Sequence, residues 1–394
     1  MKRIFALLLA FLMLTGCTSV EATTPTTTAQ PEEETTTKNI EIIIEEPVAP
    51  PTEAEKTKAE TILEGMSLRE KVGQMFIVRP EALGGNCTGY DENMALALTE
   101  YPVGGVVLFG QNLDTPDALK YFTDQLSKYS LFVAIDEEGG TVSRIANSGK
   151  FKVESFHSMG DIEGESAAHY VGKTIGTYLK KYGVNLDFAP VSDVNSNPDN
   201  PVIGKRAFSY EPETVSKMVS SALDGFHKAG VMATIKHFPG HGDTANDTHT
   251  GYVRLDKSWD ELKECELIPF ADNFAKTDMV MASHITLPEV TSDGLPASLS
   301  REIITDKLRA EMGYDGVIIT DSMEMGAITR AYGAESAAMA VKAGCDIVLM
   351  PLYFEESFEA VVKAVENGEI SEDQINASVL RILELKDKYG LLHE

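Results

Sequence analysis

Short apolar runs recur along the chain at residues 74–79, 104–109, 131–136, 184–190, 231–237, 279–284, 316–321 and 346–350. Most are rich in Val, Ile, Leu, Phe or Met, and none alternates cleanly between apolar and polar positions. Unbroken apolar runs of this length suit parallel strands buried on both faces. Helical spacing fills the gaps between them. Over 213–229, Val215, Met218, Val219, Ala222, Leu223 and Phe226 fall on one helical face, and over 300–312 Ile303, Ile304, Leu308 and Met312 do so. Ser67 and Glu70 stand three apart, the spacing of a capping box that opens a helix. Eight strand-then-helix units predict an α/β chain folded as a (β/α)8 TIM barrel with long loops, with a doubly wound open sheet as the structural alternative.

Several runs end in polar residues: Asp136, Asp187, Lys236, His237, His284 and Asp321. In a barrel, the C-terminal strand ends face the active site. A strand end is also simply where a polar loop begins, so each residue alone says little and their convergence says more.

The N-terminus reads as an address. Lys2 and Arg3 precede an almost unbroken apolar stretch over 4–14, too short to span a bilayer and suited to a signal-peptide core. Leu14-Thr15-Gly16-Cys17 resembles a bacterial lipobox. That resemblance implies a signal over 1–16 and lipidation of Cys17, with a secretory signal and a chance cysteine as the alternative. It further implies a protein outside the cytoplasm, held to the bacterial cell membrane by its N-terminal lipid anchor only. Residues 17–53 are rich in Thr, Glu and Pro and are expected to form a disordered tether, since such composition buries too little surface to fold. A brief strand over 40–44 has no support from its surroundings. The folded domain is expected over 54–394.

Asp and Glu number 61 against 34 Lys and Arg, a net charge of −27. That balance argues against nucleic acid as a partner and against a polybasic grip on anionic lipid. Beyond Cys17, the cysteines Cys87, Cys265 and Cys345 are far apart in the sequence and form no paired framework. They are expected to pack as small hydrophobes.

The chemistry concentrates after the fifth run, in Lys236-His237-Phe238-Pro239-Gly240-His241-Gly242-Asp243-Thr244, continuing to Asp247-Thr248-His249. Pro and Gly turn the chain sharply there. With DEEGG at 136–140, Gly204-Lys205-Arg206-Ala207-Phe208, and IITDSMEMGAI at 318–328, in that order, the chain resembles the NagZ-type branch of glycoside hydrolase family 3 from about residue 60 onward. The resemblance implies a single catalytic barrel domain acting as a retaining exo-β-N-acetylglucosaminidase, a β-N-acetylhexosaminidase. Its implied substrate is a terminal β-linked N-acetylglucosaminyl oligosaccharide or muropeptide from peptidoglycan, and no cofactor or metal is implied.

Asp321 is the implied nucleophile, a carboxylate placed to attack the anomeric carbon and to stabilise an oxocarbenium-like transition state. Locally, Asp321 and Glu324 also have the spacing of a helix capping pair. His249 is the implied acid/base, oriented by Asp247, because an imidazole titrates near neutral pH and a carboxylate favours its charged form. Asp136, Arg144, Arg206, Lys236 and His237 are the implied sugar-binding residues, with surface ion pairing as the plainer reading of the two arginines. Thr141 stands where many relatives carry arginine. The resemblance also places the end of the barrel near Leu392, so that all catalytic parts are expected from the barrel.

Other readings stay open at this level. His237, His241, Asp243, Asp247 and His249 include residue types that could hold a metal. A non-catalytic sugar-binding lipoprotein would share the signal and the tether. Within the family, a β-glucosidase or a phosphorylase that uses phosphate in place of water remains an alternative.

Overall fold

The computed structural model describes residues 56–84, 88–245 and 253–393. The signal, the tether with its 40–44 run, Cys17, Cys87, Asp247 and His249 lie outside the described residues.

All eight apolar runs carry a strand: β1 (Phe76–Val78), β2 (Gly105–Leu108), β3 (Phe132–Ile135), β4 (Leu186–Asp187), β5 (Met232–Phe238), β6 (Met279–Ala282), β7 (Val317–Thr320) and β8 (Val348–Leu349). Each is buried along its whole length, which is why no run alternates in sequence. Neighbours pair in parallel and in chain order. β8 returns to β1 through Phe76–Val348 and Ile77–Leu349, and a parallel bridge between Ile319 and Ile347 links β7 to the start of β8. The sheet therefore closes on itself as a (β/α)8 barrel, and the open-sheet alternative falls away. Fully burying one Val, Leu, Ile or Phe side chain is worth roughly 1.5–3 kcal/mol, so the strand residues alone supply a large part of the driving force.

Strand boundaries differ from the runs for local reasons. Ser67 and Glu70 form the expected capping box, and the helix it opens, Leu68–Gln74, claims Gln74 from the first run. β4 contributes only two ladder residues, and just before it the Asn185 side chain adds to its backbone bonds with β3. Its Oδ1 accepts from the Val133 N–H at 2.9 Å and its Nδ2 donates to the Leu131 carbonyl at 3.0 Å. The expected helix over 213–229 spans Pro212–Ala229. The segment expected over 300–312 is helical at Glu302–Glu311, wound with the wider i→i+5 bonding of a π-helix, as in Met312 N–H to Lys307 O at 2.9 Å. Cys345 is buried and Cys265 half-buried, both as free thiols.

The last helix, Glu372–Lys388, packs near the N-terminal ends of the strands. From it Lys386 enters the core, fully buried, donating to Gln74 Oε1 at 2.6 Å and lying 4.8 Å over the Phe132 ring. Burial pushes its ammonium down to about 7. An unfolded lysine holds its proton to roughly pH 10.4, so between these values the unfolded chain binds more protons and stability rises with pH. Below pH 7 the folded protein bears the whole cost of a buried charge. Lys386→Met is expected to raise the thermal midpoint at pH 7 by several degrees and to give a smaller gain at pH 9.5. Thermal denaturation at both pH values checks this, and an equal gain at both would contradict it.

Candidate active site

Residues at and beyond the C-terminal ends of the strands line a cavity of about 420 Å³. Of the residues expected from sequence, Asp136, Arg144, Arg206, Lys236, His237 and Asp321 all line it. Asp187 and His284, also at strand ends, do not; they support the site from behind.

One wall is a lattice of opposite charges. Lys236, inside β5 and 2% exposed, donates from Nζ to Asp136 Oδ1 at 2.8 Å and lies 2.6 Å from Glu138 Oε1. Arg206 grips the same Glu138 through two bonds, Nε to Oε2 at 2.8 Å and Nη2 to Oε1 at 2.7 Å. Arg144 reaches Asp136 Oδ2 at 3.3 Å and stacks 5.1 Å over the Phe109 ring. An unpaired ion at such depth would cost several kcal/mol. Burial opposes the Glu138 charge, but Lys236 and Arg206 overcome it and hold that carboxyl well below the usual carboxylate range. The carboxylates raise Lys236 and Arg206 against the same burial, so all three stay ionised. A surface ion pair therefore does not describe Arg206, whose side chain is 18% exposed against a partner at 2%.

The Asp136-Glu137-Glu138 segment, which enters the short strand Glu137–Gly139, is held from behind by a second acidic pair. Glu137 accepts from the N–H groups of Ile145 and Ala146 at 2.8 and 2.9 Å and from the Tyr178 hydroxyl at 2.8 Å. Its own N–H donates to Asp187 Oδ1 at 2.9 Å. Burial pushes the Asp187 carboxyl well above its ordinary value, with the nearby Glu137 charge adding to it. Asp187 thus orients this segment from behind the cavity.

Asp321 follows β7 directly. Its N–H donates to the Ala282 carbonyl at 2.8 Å, tying it to β6, and its Oδ1 accepts from the Ser322 N–H at 2.7 Å. The next helix begins only at Gly326, with Met325 at its N-cap position, so Asp321 and Glu324 do not cap it. Glu324 instead pairs with Arg79 at 2.7 Å. Burial works against the Asp321 charge, yet His237, His284, the Ser322 N–H and Lys236 outweigh it and hold the carboxyl below its ordinary range. His284 is fixed between the Ser298 hydroxyl at 2.7 Å and the Ser322 carbonyl at 3.0 Å. The arrangement keeps an ionised carboxylate on the cavity wall under positive potential.

His237 owes its orientation to Asp193. The chain after β4 runs on parallel to β5, through a parallel bridge between Val191 and Lys236 and a bond from Ser192 N–H to Lys236 O at 2.7 Å, and this brings Asp193 to the histidine. Asp193 Oδ2 lies 2.6 Å from His237 Nδ1, and Oδ1 accepts from the His241 N–H at 2.6 Å. Burial opposes the Asp193 charge, and the two histidines hold its carboxyl below the ordinary range. With Nδ1 engaged by a carboxylate, Nε2 is the nitrogen left toward Arg206, at 3.5 Å from its Nη2.

The loop after β5 is pinned up to Thr244. Asn200 Nδ2 stands within hydrogen-bond reach of the His241, Gly242 and Thr244 carbonyls at 2.8, 3.1 and 2.9 Å. A Cβ on Gly242 would lie 1.6 Å from the Val194 carbonyl oxygen, so only glycine fits this approach. Lys257 bridges Asp243 at 2.9 Å and the buried Glu266 at 2.6 Å. Thr244 bonds the His241 ring at 2.8 Å, so two of the histidines considered as metal ligands have ring nitrogens already engaged by Asp193 and Thr244. Asp247 and His249 follow this fixed root in sequence and lie outside the described residues.

Glu138, Asp193 and Asn200 were not given a role from the sequence. Glu138 lies in the DEEGG motif at 136–140, while Asp193 and Asn200 had no signal beyond being polar residues after a strand, and the partners of the three are 68, 44 and 41–44 residues away.

Residues 67–385 match the glycosyl hydrolase family 3 N-terminal domain. β-Hexosaminidase A of Pseudoalteromonas piscicida is 36% identical over 324 residues, covering 74% of this chain and 54% of that protein. The β-hexosaminidase of Tolumonas auensis is 35% identical over 255 residues, covering 63% of this chain and 75% of that one. A solved family 3 β-N-acetylglucosaminidase from Paenibacillus sp. str. FPU-7 superposes with a TM-score of 0.78 at 36% identity, covering 83% of this chain and 63% of the other. The chain thus spans about half the length of the first of these relatives. From the match across residues 67–385 and the closed barrel beneath it, the chain belongs to glycosyl hydrolase family 3 through that family's N-terminal domain.

Proposed function

We propose that the chain is a retaining exo-β-N-acetylglucosaminidase that releases terminal β-linked N-acetylglucosamine. The observation that carries this reading is Asp321: a carboxylate kept ionised on the wall of a sugar-sized cavity, opposite the charged lattice of Asp136, Lys236, Glu138 and Arg206. The β-hexosaminidase names of two relatives support the sugar class.

In this reading Asp321 attacks C1 of the sugar while the bond from C1 to the leaving oxygen breaks. His249 gives that oxygen its proton, and a glycosyl ester on Asp321 forms. Water then attacks C1, His249 takes its proton, and the carboxylate of Asp321 leaves. Two displacements return the original β configuration. Asp247 orients His249 and favours its charged form. Asp136, Arg144, Arg206, Lys236 and His237 hold the sugar hydroxyls and the surroundings of the acetamido group through charged hydrogen bonds. The lipobox-like Cys17 and the tether support an enzyme held outside the cytoplasmic membrane, which favours peptidoglycan fragments, muropeptides among them, as substrate.

The test is the product itself. Proton NMR of a reaction on an aryl β-N-acetylglucosaminide is expected to show the β-anomer of N-acetylglucosamine first, at a rate independent of phosphate. The matching glucoside is expected to turn over far more slowly. An initial α-anomer would overturn retention, a preference for the glucoside would overturn the sugar, and phosphate-dependent release of a sugar 1-phosphate would overturn hydrolysis.

A further inference from the structure

A second cavity, of about 370 Å³, lies between the segment 152–154 and the helix Glu165–Lys181. It shares no lining residue with the catalytic cavity. On the helix, Tyr170, Lys173, Thr174, Thr177 and Lys181 recur at three- and four-residue steps and so form one face. Lys152 stands opposite, on the extended segment.

Two features of this groove call for an occupant. The first is charge. Asp and Glu outnumber Lys and Arg by 61 to 34 in this chain, yet three lysines converge here and none pairs with a carboxylate among the described residues. The one acidic side chain in the lining, Glu154, is engaged by the Tyr170 hydroxyl at 2.9 Å. The second is the aromatic ring. Tyr170 is 52% exposed, and its ring is held by that hydroxyl bond and by the edge of Phe156, with centroids 6.2 Å apart at 80°. A fixed, half-bare tyrosine offers a flat apolar face that costs little further ordering on binding. A pyranose ring presents a matching face of C–H groups, and a carboxylate on that ring matches the lysines.

We propose that this groove is a second, non-catalytic binding site for an anionic glycan, with a sugar ring stacked on Tyr170 and its carboxylate held by Lys152, Lys173 and Lys181. Anion recognition by exposed ammonium groups is screened by salt, so binding weakens as ionic strength rises. The site does not depend on the catalytic reading of Asp321, since no residue is shared.

Isothermal titration of the full chain with tetragalacturonate at low ionic strength tests the site, with neutral cellotetraose as control. Tetragalacturonate is expected to bind at least tenfold more tightly than cellotetraose. Tyr170→Ala and Lys173→Glu are each expected to weaken it tenfold or more, and Tyr170→Phe to lose less than Tyr170→Ala, because the ring and its contact with Phe156 remain while the hydroxyl bond to Glu154 is lost. Hydrolysis of a small aryl substrate should be unchanged in all three variants, and equal thermal midpoints show that they fold. Absence of tetragalacturonate binding, or wild-type affinity in either Tyr170→Ala or Lys173→Glu, overturns the proposal. So does binding only to phosphatidylglycerol vesicles, lost in Lys173→Glu and kept in Tyr170→Ala, which would make the groove a membrane contact.

Discussion

Asp321→Ala is expected to lower turnover of an aryl β-N-acetylglucosaminide by a factor on the order of 10⁴ or more, the scale on which removal of a covalent nucleophile is felt. The protein should remain folded, because the backbone bonds of residue 321 to Ala282 and of β7 to its neighbours do not involve the side chain. The shortened side chain leaves room beside the anomeric carbon. Added azide is therefore expected to restore part of the rate on an activated substrate and to yield the α-glycosyl azide, the product of a single displacement. Steady-state kinetics and NMR of the azide product check both parts. A variant that keeps more than about a tenth of the wild-type rate would remove Asp321 from the chemistry, given the size of a nucleophile's usual contribution.

His249→Ala is expected to act unevenly across substrates. General acid assistance is worth about 10²–10⁴-fold, and it matters most for a leaving group that cannot depart as an anion. On a natural disaccharide kcat/KM should fall by the full amount. On a dinitrophenyl glycoside, whose leaving group needs no proton, kcat/KM should change little. There kcat should still fall, because the same histidine serves as base when water attacks the ester. The pH dependence follows from the two groups. Asp321 is held below its ordinary range, so its active, ionised form persists at low pH and is lost only as pH falls through that depressed value. The acid form of His249 is lost as pH rises through neutrality. The alkaline limb of kcat/KM on the disaccharide should therefore flatten in His249→Ala, and the acidic limb should stay. Equal losses on both substrates would contradict the proton-donor role.

The barrel was legible because every residue of its strands is buried, which turns parallel strands into unbroken apolar runs. The exceptions are instructive. Gln74 looked like the start of β1, but a capping box two turns upstream pulled it into a helix. Beside the short β4, the Asn185 side chain adds two bonds to β3 next to its own backbone bonds, a contribution that no pattern of hydrophobicity records.

The site was legible where a charged residue ended a strand, as with Asp136 and Asp321. Strand ends alone could not separate cavity residues from supporting ones: Asp187 and His284 met the same rule and stand behind the cavity. Nor could the sequence show why Lys236 can be buried, since that depends on Glu138 and Arg206 arriving from other loops. Asp193 reaches His237 only because the chain after β4 stays alongside β5, in parallel, as far as Ser192. Contacts of this kind are created by the closed barrel and have no local signature.

During turnover the sugar is expected to become covalently attached to Asp321. Intact-mass analysis after incubation with a fluorinated N-acetylglucosamine-type substrate, followed by peptide mapping, would reveal that attachment. One added glycosyl mass per chain is expected, located on the peptide that contains Asp321 and absent from Asp321→Ala. No adduct, or an adduct on Glu324 or Asp136 instead, would rule out Asp321 as the nucleophile.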